Sequence, residues 1–296
     1  MANGLAWGRL CAGPKAAPHE RWGAQALSKV RHGADWMGMA EWTWEPDDFA
    51  ALWYSDAHDR FPGPLRYTSR FALRDEFAAH RRAVRERYSA DEFEEIQLAL
   101  HTLGTSELRI EILGGTCKHK NSSGRDDLRE YRIVGARNPY HAVTLMQAGT
   151  ATEHGPIRVR MFRPDSLPNR LVQALPACTP GSAAPATFHP DDLTPRSNGY
   201  FEDVARQTPR EQYQRLLGRP ADGGGTAVLV AAPLHTLAQP WNVLQWHDIT
   251  DDGRYTEIRG PHITVRPTTP TDLTTHFTTW ITRALTRLQE SSAETW

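Results

Sequence analysis

A short recurring block constrains this chain more than any single motif. Ile157-Arg-Val-Arg-Met-Phe-Arg-Pro-Asp-Ser-Leu167 aligns without gaps on Ile263-Thr-Val-Arg-Pro-Thr-Thr-Pro-Thr-Asp-Leu273, with Ile, Val, Arg, Pro and Leu shared. In both copies alternation implies a strand, after which a proline opens a helix whose first core residue is Leu. Proline is tolerated there because the first N–H groups of a helix have no internal partner. Strand-to-helix junctions favour such letters in general, but these two fall at the same place in two units of the same order. The block therefore predicts an internal pseudo-repeat.

The flanking patterns supply the units. Pro46 suits a first helical position, with Asp47 and Asp48 near the positive end of the dipole and Phe49, Leu52 and Trp53 at helical spacing. Leu73, Phe77, Val84 and Tyr88 predict a second helix. Ser89 and Glu92 form a capping box for a third, carrying Phe93, Ile96, Leu100 and Leu103. After Gly104 the period becomes two: Leu108, Ile110 and Ile112 alternate with Glu107, Arg109 and Glu111, a half-buried strand. Strand-like runs follow at Tyr131–Ala136, His141–Gln147 and Ile157–Phe162, then a helix from Pro164 through Leu171 and Leu175.

A Pro-, Ser- and Ala-rich stretch from Pro176 to Pro195 reads as a linker. Beyond it the order returns. A helical pattern covers Phe201–Leu217 and a turn is expected at Gly223–Gly225. Strand-like runs occupy Ala227–Ala232, Val243–His247, Tyr255–Arg259 and Ile263–Arg266. Pro270 opens a last helix with Leu273, Phe277, Trp280, Ile281, Leu285 and Leu288 on one stripe. The expected fold is α+β, with two pseudo-repeated halves, each an antiparallel-type sheet with flanking helices. Its expected divisions are an irregular N-terminal extension at 1–40, a first half at 41–178, a linker at 179–198 and a second half at 199–296. The extension is either an irregular tail or the product of a start placed upstream of Met37 or Met39.

Charge and cysteine usage narrow the chemistry. The 34 basic and 35 acidic residues leave a formal net charge of −1, so phosphate neutralisation is not the main source of affinity and nucleic acid is not an expected partner. Cys11, Cys117 and Cys178 are odd in number, widely spaced and without a CxxC, which implies free thiols and no disulfide framework. No run approaches the ~20 apolar residues of a spanning helix, and no secretory h-region opens the chain. A cytoplasmic location without membrane insertion is expected.

Cys117-Lys-His119 lacks a second pair at zinc-finger spacing, no HExxH occurs, and His235, His247 and His262 are irregularly spaced. No metal and no cofactor are expected. Gly223-Gly-Gly-Thr226 precedes a strand, whereas a phosphate-cradling loop follows one, so it reads as a turn. Asp251-Asp252-Gly253 reads as a hairpin turn. There is no GxSxG and no assembled nucleophile and base. An enzyme is the alternative, a small-molecule site in the second half using His247 with Asp248.

Binding features are stronger. Trp241 and Trp246 lie in or beside one strand; they either anchor a partner or, the more common role, cover the core under the terminal helix. Arg158 and Arg160 are polar positions of an alternating strand that face water or another protein. The loop Lys118–Arg125, with Lys118, His119, Lys120 and Asn121, is either a recognition tip or a mobile solvent loop.

An ordered set of soft motifs then resembles the EspG family of ESX (type VII) secretion chaperones. The set comprises Trp44-Glu-Pro-Asp-Asp-Phe-Ala-Ala-Leu-Trp53, Pro64-Leu65 with Thr68, Glu107-Leu-Arg-Ile110, Ile157–Leu175, Asp252-Gly-Arg-Tyr255 and Ile263–Leu273. It covers about residues 41–290. The resemblance implies one EspG-like α+β fold of two related halves around a central sheet. It also implies a non-catalytic role: binding the helical tip of a secretion substrate, a PE–PPE pair or a similar helical hairpin, and keeping its apolar end covered for export. The leader, the Lys118–Arg125 loop and the Pro176–Pro195 stretch are outside the match. Regions, rather than fixed client-contacting residues, carry over.

Overall fold

A computed structural model describes residues 40–56, 58–194 and 208–293, with the side chain at 292 excepted. The leader, including Cys11, and the first part of the predicted 201–217 helix lie outside the described residues. In chain order the elements are β1 (Ala40–Trp44), α1 (Pro46–Trp53), α2 (Arg74–Arg85), α3 (Ala90–Gly104), β2 (Leu108–Thr116), β3 (Arg129–Arg137), β4 (Ala142–Gly149), β5 (His154–Phe162) and α4 (Leu167–Gln173). They continue with β6 (Ala186–Phe188), α5 (Pro190–Leu193), α6 (Pro209–Leu217), β7 (Ala221–Val230), β8 (Asn242–Ile249), β9 (Gly253–Arg259), β10 (Ile263–Pro267) and α7 (Pro270–Ala293).

The ten described strands form one antiparallel sheet in the order β1-β5-β4-β3-β2-β7-β8-β9-β10-β6. The fold is α+β, as the alternation and helical periods predict. One meander, β2 to β5 followed by α4, lies on one side of the β2–β7 seam, and β7 to β10 followed by α7 lies on the other. Leu167 and Leu273, which close the recurring block, are buried in the same core cluster. We propose the pseudo-repeat on that order and on the five shared letters.

Pleating separates two faces. On the first, Leu108, Ile110 and Ile112 of β2, Ala227 and Leu229 of β7, and Leu244 and Trp246 of β8 meet Leu167 and Leu171 of α4 and Phe277, Trp280 and Ile281 of α7. On the second, Val134, Val143, Leu145, Ile157 and Val159 lie under Phe49, Leu52, Trp53, Val84, Ile96 and Leu103 of α1, α2 and α3. Farther along that face, Tyr255, Ile263 and Val265 pack with Tyr213, Leu216 and Leu217 of α6. Ser89 caps α3 as predicted, its hydroxyl accepting from the Glu92 N–H at 3.2 Å.

Three expectations are corrected. The glycine run is not a turn but lies inside β7, where Gly225 pairs with Trp246. A Cβ on Gly225 would stand 2.4 Å from the indole ring, so that position holds glycine to make room for Trp246. The predicted linker is more than a connector, because Ala186–Phe188 forms the edge strand β6 against β10. The polar side of β2 is not all solvent-facing: Arg109 is buried, its Nη1 donating to the carbonyls of Ala232 and Pro233 at 2.6 and 3.1 Å and its Nε to Glu111 at 2.6 Å. That guanidinium pins the β7–β8 loop over one end of the sheet.

Candidate partner-binding surface

Between the helices on the second face lies a strip of sheet that is half-exposed. Across β2, β7 and β8 the register aligns Glu111 with Val228 and Val243, and Leu113 with Thr226 and Gln245. Leu113 and Val243 are 42% and 47% exposed. Leu128, also exposed, leans over Gly115 at the margin of the strip, where a glycine Cβ would come within 3.1 Å of it. Strand alternation puts Leu113, Val228 and Val243 on one side, opposite the core residues Leu244 and Trp246. At one end the strip runs into a cleft of about 330 Å³ lined by Trp53, Phe61, Arg109, Val228, Leu234 and the almost fully exposed Leu237.

The β2–β3 loop rises from the other end. Lys118 is exposed along its stem, yet its Nζ lies 2.5 Å from Oδ2 of the buried Asp222. His119 closes the loop on itself, its Nε2 3.0 Å from the Asp127 carbonyl and 3.3 Å from Asp127 Oδ1. Lys120 and Asn121 are exposed at the tip. Under the root of the loop is a polar cavity of about 360 Å³, lined by Lys118, Cys178, Asp222, Asp248, Asp251 and Asp252. Burial pushes the Cys178 thiol up to about 11, helped by Asp248, so it stays protonated and unreactive at neutral pH.

Asp252 beside this cavity is a structural acid. Burial alone would raise its pKa, but the Tyr255 hydroxyl at 2.7 Å, the Ser182 N–H at 2.7 Å and the Arg219 guanidinium at 2.7 Å outweigh that and hold it well below the usual carboxylate range. A lowered folded-state pKa stabilises the fold above the unfolded value, and that contribution fades as pH falls below it. Asp252→Asn is expected to lose stability at pH 7 and to flatten the acid limb of the stability curve between about pH 4 and pH 2. Urea unfolding as a function of pH measures this; parallel acid limbs for the two proteins would contradict it.

The other candidates are dispersed. Arg158 and Arg160 lie on the first face near the β1 edge, where one carboxylate, Glu41, serves both guanidinium groups at 3.3 and 2.9 Å. Trp246 is wholly buried beneath α7 and is therefore part of the core, not a surface anchor. Trp241 packs at the margin of the same core with Arg287 over its ring at 4.4 Å. Thus, of these candidates, the loop group Lys118, His119, Lys120 and Asn121 is the one that lies at the end of the strip. His247 and Asp248 point to opposite faces, as neighbours in a strand must: His247 meets Glu257, whereas Asp248 is buried against Arg254.

The sequence reading passed over Leu113, Leu128, Val228, Val243 and Gln245. A usable signal was present, since Val243 stands out of phase with Leu244 and Trp246 on an alternating strand. Among the described residues, no group of three or more His, Cys, Asp or Glu is placed to hold a metal ion, and no helix is long and apolar enough to cross a membrane.

Comparison with known proteins completes the picture. The family model ESX-1_EspG, described as "EspG family", matches residues 45–278. No curated protein matches. Among solved structures the chain is similar to HtdX of Mycobacterium tuberculosis, at 14% identity over 77% of this chain and 99% of that chain, with a TM-score of 0.17. It is similar also to the tesB protein of Mycobacterium avium subs paratuberculosis, at 9% identity over 75% of this chain and 97% of that chain, with a TM-score of 0.18.

Proposed function

The chain belongs to the EspG family, and on that premise we propose that it is a cytosolic chaperone for ESX (type VII) secretion substrates. It binds the helical tip of a PE–PPE-like or other helical-hairpin client and covers the client's apolar end until export. The match over residues 45–278 carries this reading, because it spans both meanders and all but the first described strand.

The half-exposed strip, the cleft at one end and the Lys118–Asn121 loop at the other support a docking surface for such a tip. Leu113, Val243 and Leu128 supply apolar area, and because each is already more than half buried, covering the rest is worth about 1 kcal/mol apiece. A specific interface needs roughly 800 Å² on each partner, so the strip works together with its two ends. Lys118, Lys120 and Asn121 at the rim orient the client more than they hold it.

The test is co-expression with helical-hairpin secretion substrates encoded beside this chain, followed by light scattering after size exclusion. One client should form a stoichiometric complex with the wild type. Charging the strip with Leu113→Glu and Val243→Glu should weaken that complex at least 100-fold. Because both positions are already exposed, stability should change by less than about 1 kcal/mol. A wild-type chain that stays free with every candidate would overturn the reading.

A further inference from the structure

His247 ends the half-exposed strip, and its surroundings fix what it can offer a partner. It is one-third exposed and its Nε2 lies 3.3 Å from Oε2 of Glu257, which is 2% exposed. The Tyr213 hydroxyl donates to the same oxygen at 3.1 Å, and Arg259 Nη2 lies 2.5 Å from Oε1. Burial raises the pKa of Glu257, but the His247 and Arg259 contacts outweigh it and hold the group ionised at neutral pH. Tyr213 is pushed up to about 12 by burial and by Glu257, so it remains a donor.

An ionised carboxylate only accepts, so His247 must donate through Nε2. With the proton on Nε2, Nδ1 keeps a lone pair, and the His247 ring makes no hydrogen bond to a described residue besides the one to Glu257. Tyr255, opposite His247 on β9, does not compete, since its hydroxyl donates to Asp252. On the other side the register places Gly224 beside His247 and Gly115 beside Gly224. Between His247 and Leu128, therefore, the sheet is bare backbone.

We propose that His247 is a specificity-determining residue of the docking strip, whose Nδ1 accepts a hydrogen bond from an N–H or O–H side chain of a client helix seated over Gly115 and Gly224. The inference rests on the proposed docking of a helical client. A covered acceptor without a donor is penalised, so the strip selects a client with a donor at that point and disfavours an apolar one. Glu257 is the positioning residue, since it fixes which nitrogen is bare.

Two variants separate this role from simple satisfaction of Glu257. Gln places its amide near the Nε2 position and can keep the Glu257 bond, whereas Asn places its amide near the Nδ1 position and can keep the acceptor. With the client that binds wild type, His247→Gln should lose roughly tenfold to a hundredfold in affinity while keeping stability. His247→Asn should retain most of the affinity. In the free protein, nitrogen-15 side-chain spectra at pH 8 should show His247 protonated at Nε2, and Glu257→Gln should shift that tautomer balance. Wild-type affinity in His247→Gln, or an Nδ1-protonated ring in the free protein, overturns the inference and leaves the chaperone reading intact. Absence of any complex with the wild type overturns both.

Discussion

Trp246→Ala should destabilise the fold by about 3–5 kcal/mol, the range for deleting a large buried aromatic ring. The indole is 1% exposed and shares the first-face core with Leu244, Leu229, Phe277 and Trp280. Gly225 opposite it has no side chain to move into the void, and neighbouring strands are held by the ladder. The cavity should therefore collapse poorly, which puts the loss toward the upper end. Urea unfolding should show a lower midpoint with an unchanged slope. Client affinity, measured where the variant is still folded, should not change. Loss of client binding with full stability would instead return Trp246 to the surface role considered for it from sequence.

Arg254→Met should cost a similar amount, for an electrostatic reason. Arg254 Nε and Nη2 reach both oxygens of Asp248 at 2.7 and 2.8 Å, and Nη2 also donates to the Pro176 carbonyl at 2.9 Å. Both side chains are buried. Removing the cation leaves an uncompensated buried carboxylate, typically worth 3–5 kcal/mol, about the loss expected here. The double variant Asp248→Leu with Arg254→Met should recover much of that loss, because it removes the stranded charge along with its partner. A double variant as unstable as the sum of both singles would show that the pair acts through the Pro176 contact and not through charge. The pair also ties β8 and β9 to the segment after α4, so local hydrogen exchange at Pro176–Gly181 should rise in the single variant.

Much of the fold was legible. Periods of 3.6 and 2 located α1, α2, α3, α4, α7 and eight of the strands, and Ser89 with Glu92 marked the start of α3. The misses have specific causes. β1 was passed over although Trp42 and Trp44 alternate, because the textureless leader runs straight into it. β6 is three residues long in a Pro- and Ser-rich stretch and has no period to read. Gly223–Gly225 obeys local turn chemistry, and only the ring of Trp246 across the ladder explains why glycines lie mid-strand. The candidate surface was legible at the Lys118 loop and illegible at the strip.

By itself the sequence determined most of the elements, their order and which residues share a face, because backbone periodicity is a local property. It also pointed to the family, through an ordered set of motifs that the match over residues 45–278 bears out. Only the tertiary structure decided that β2 pairs with β7 at the centre, that α7 buries Trp246, and that His247 meets the buried Glu257. Alternation tells which side of a strand a residue faces but not what covers that side. Covering is settled by elements a hundred residues away, packing to close one core and leaving one strip open.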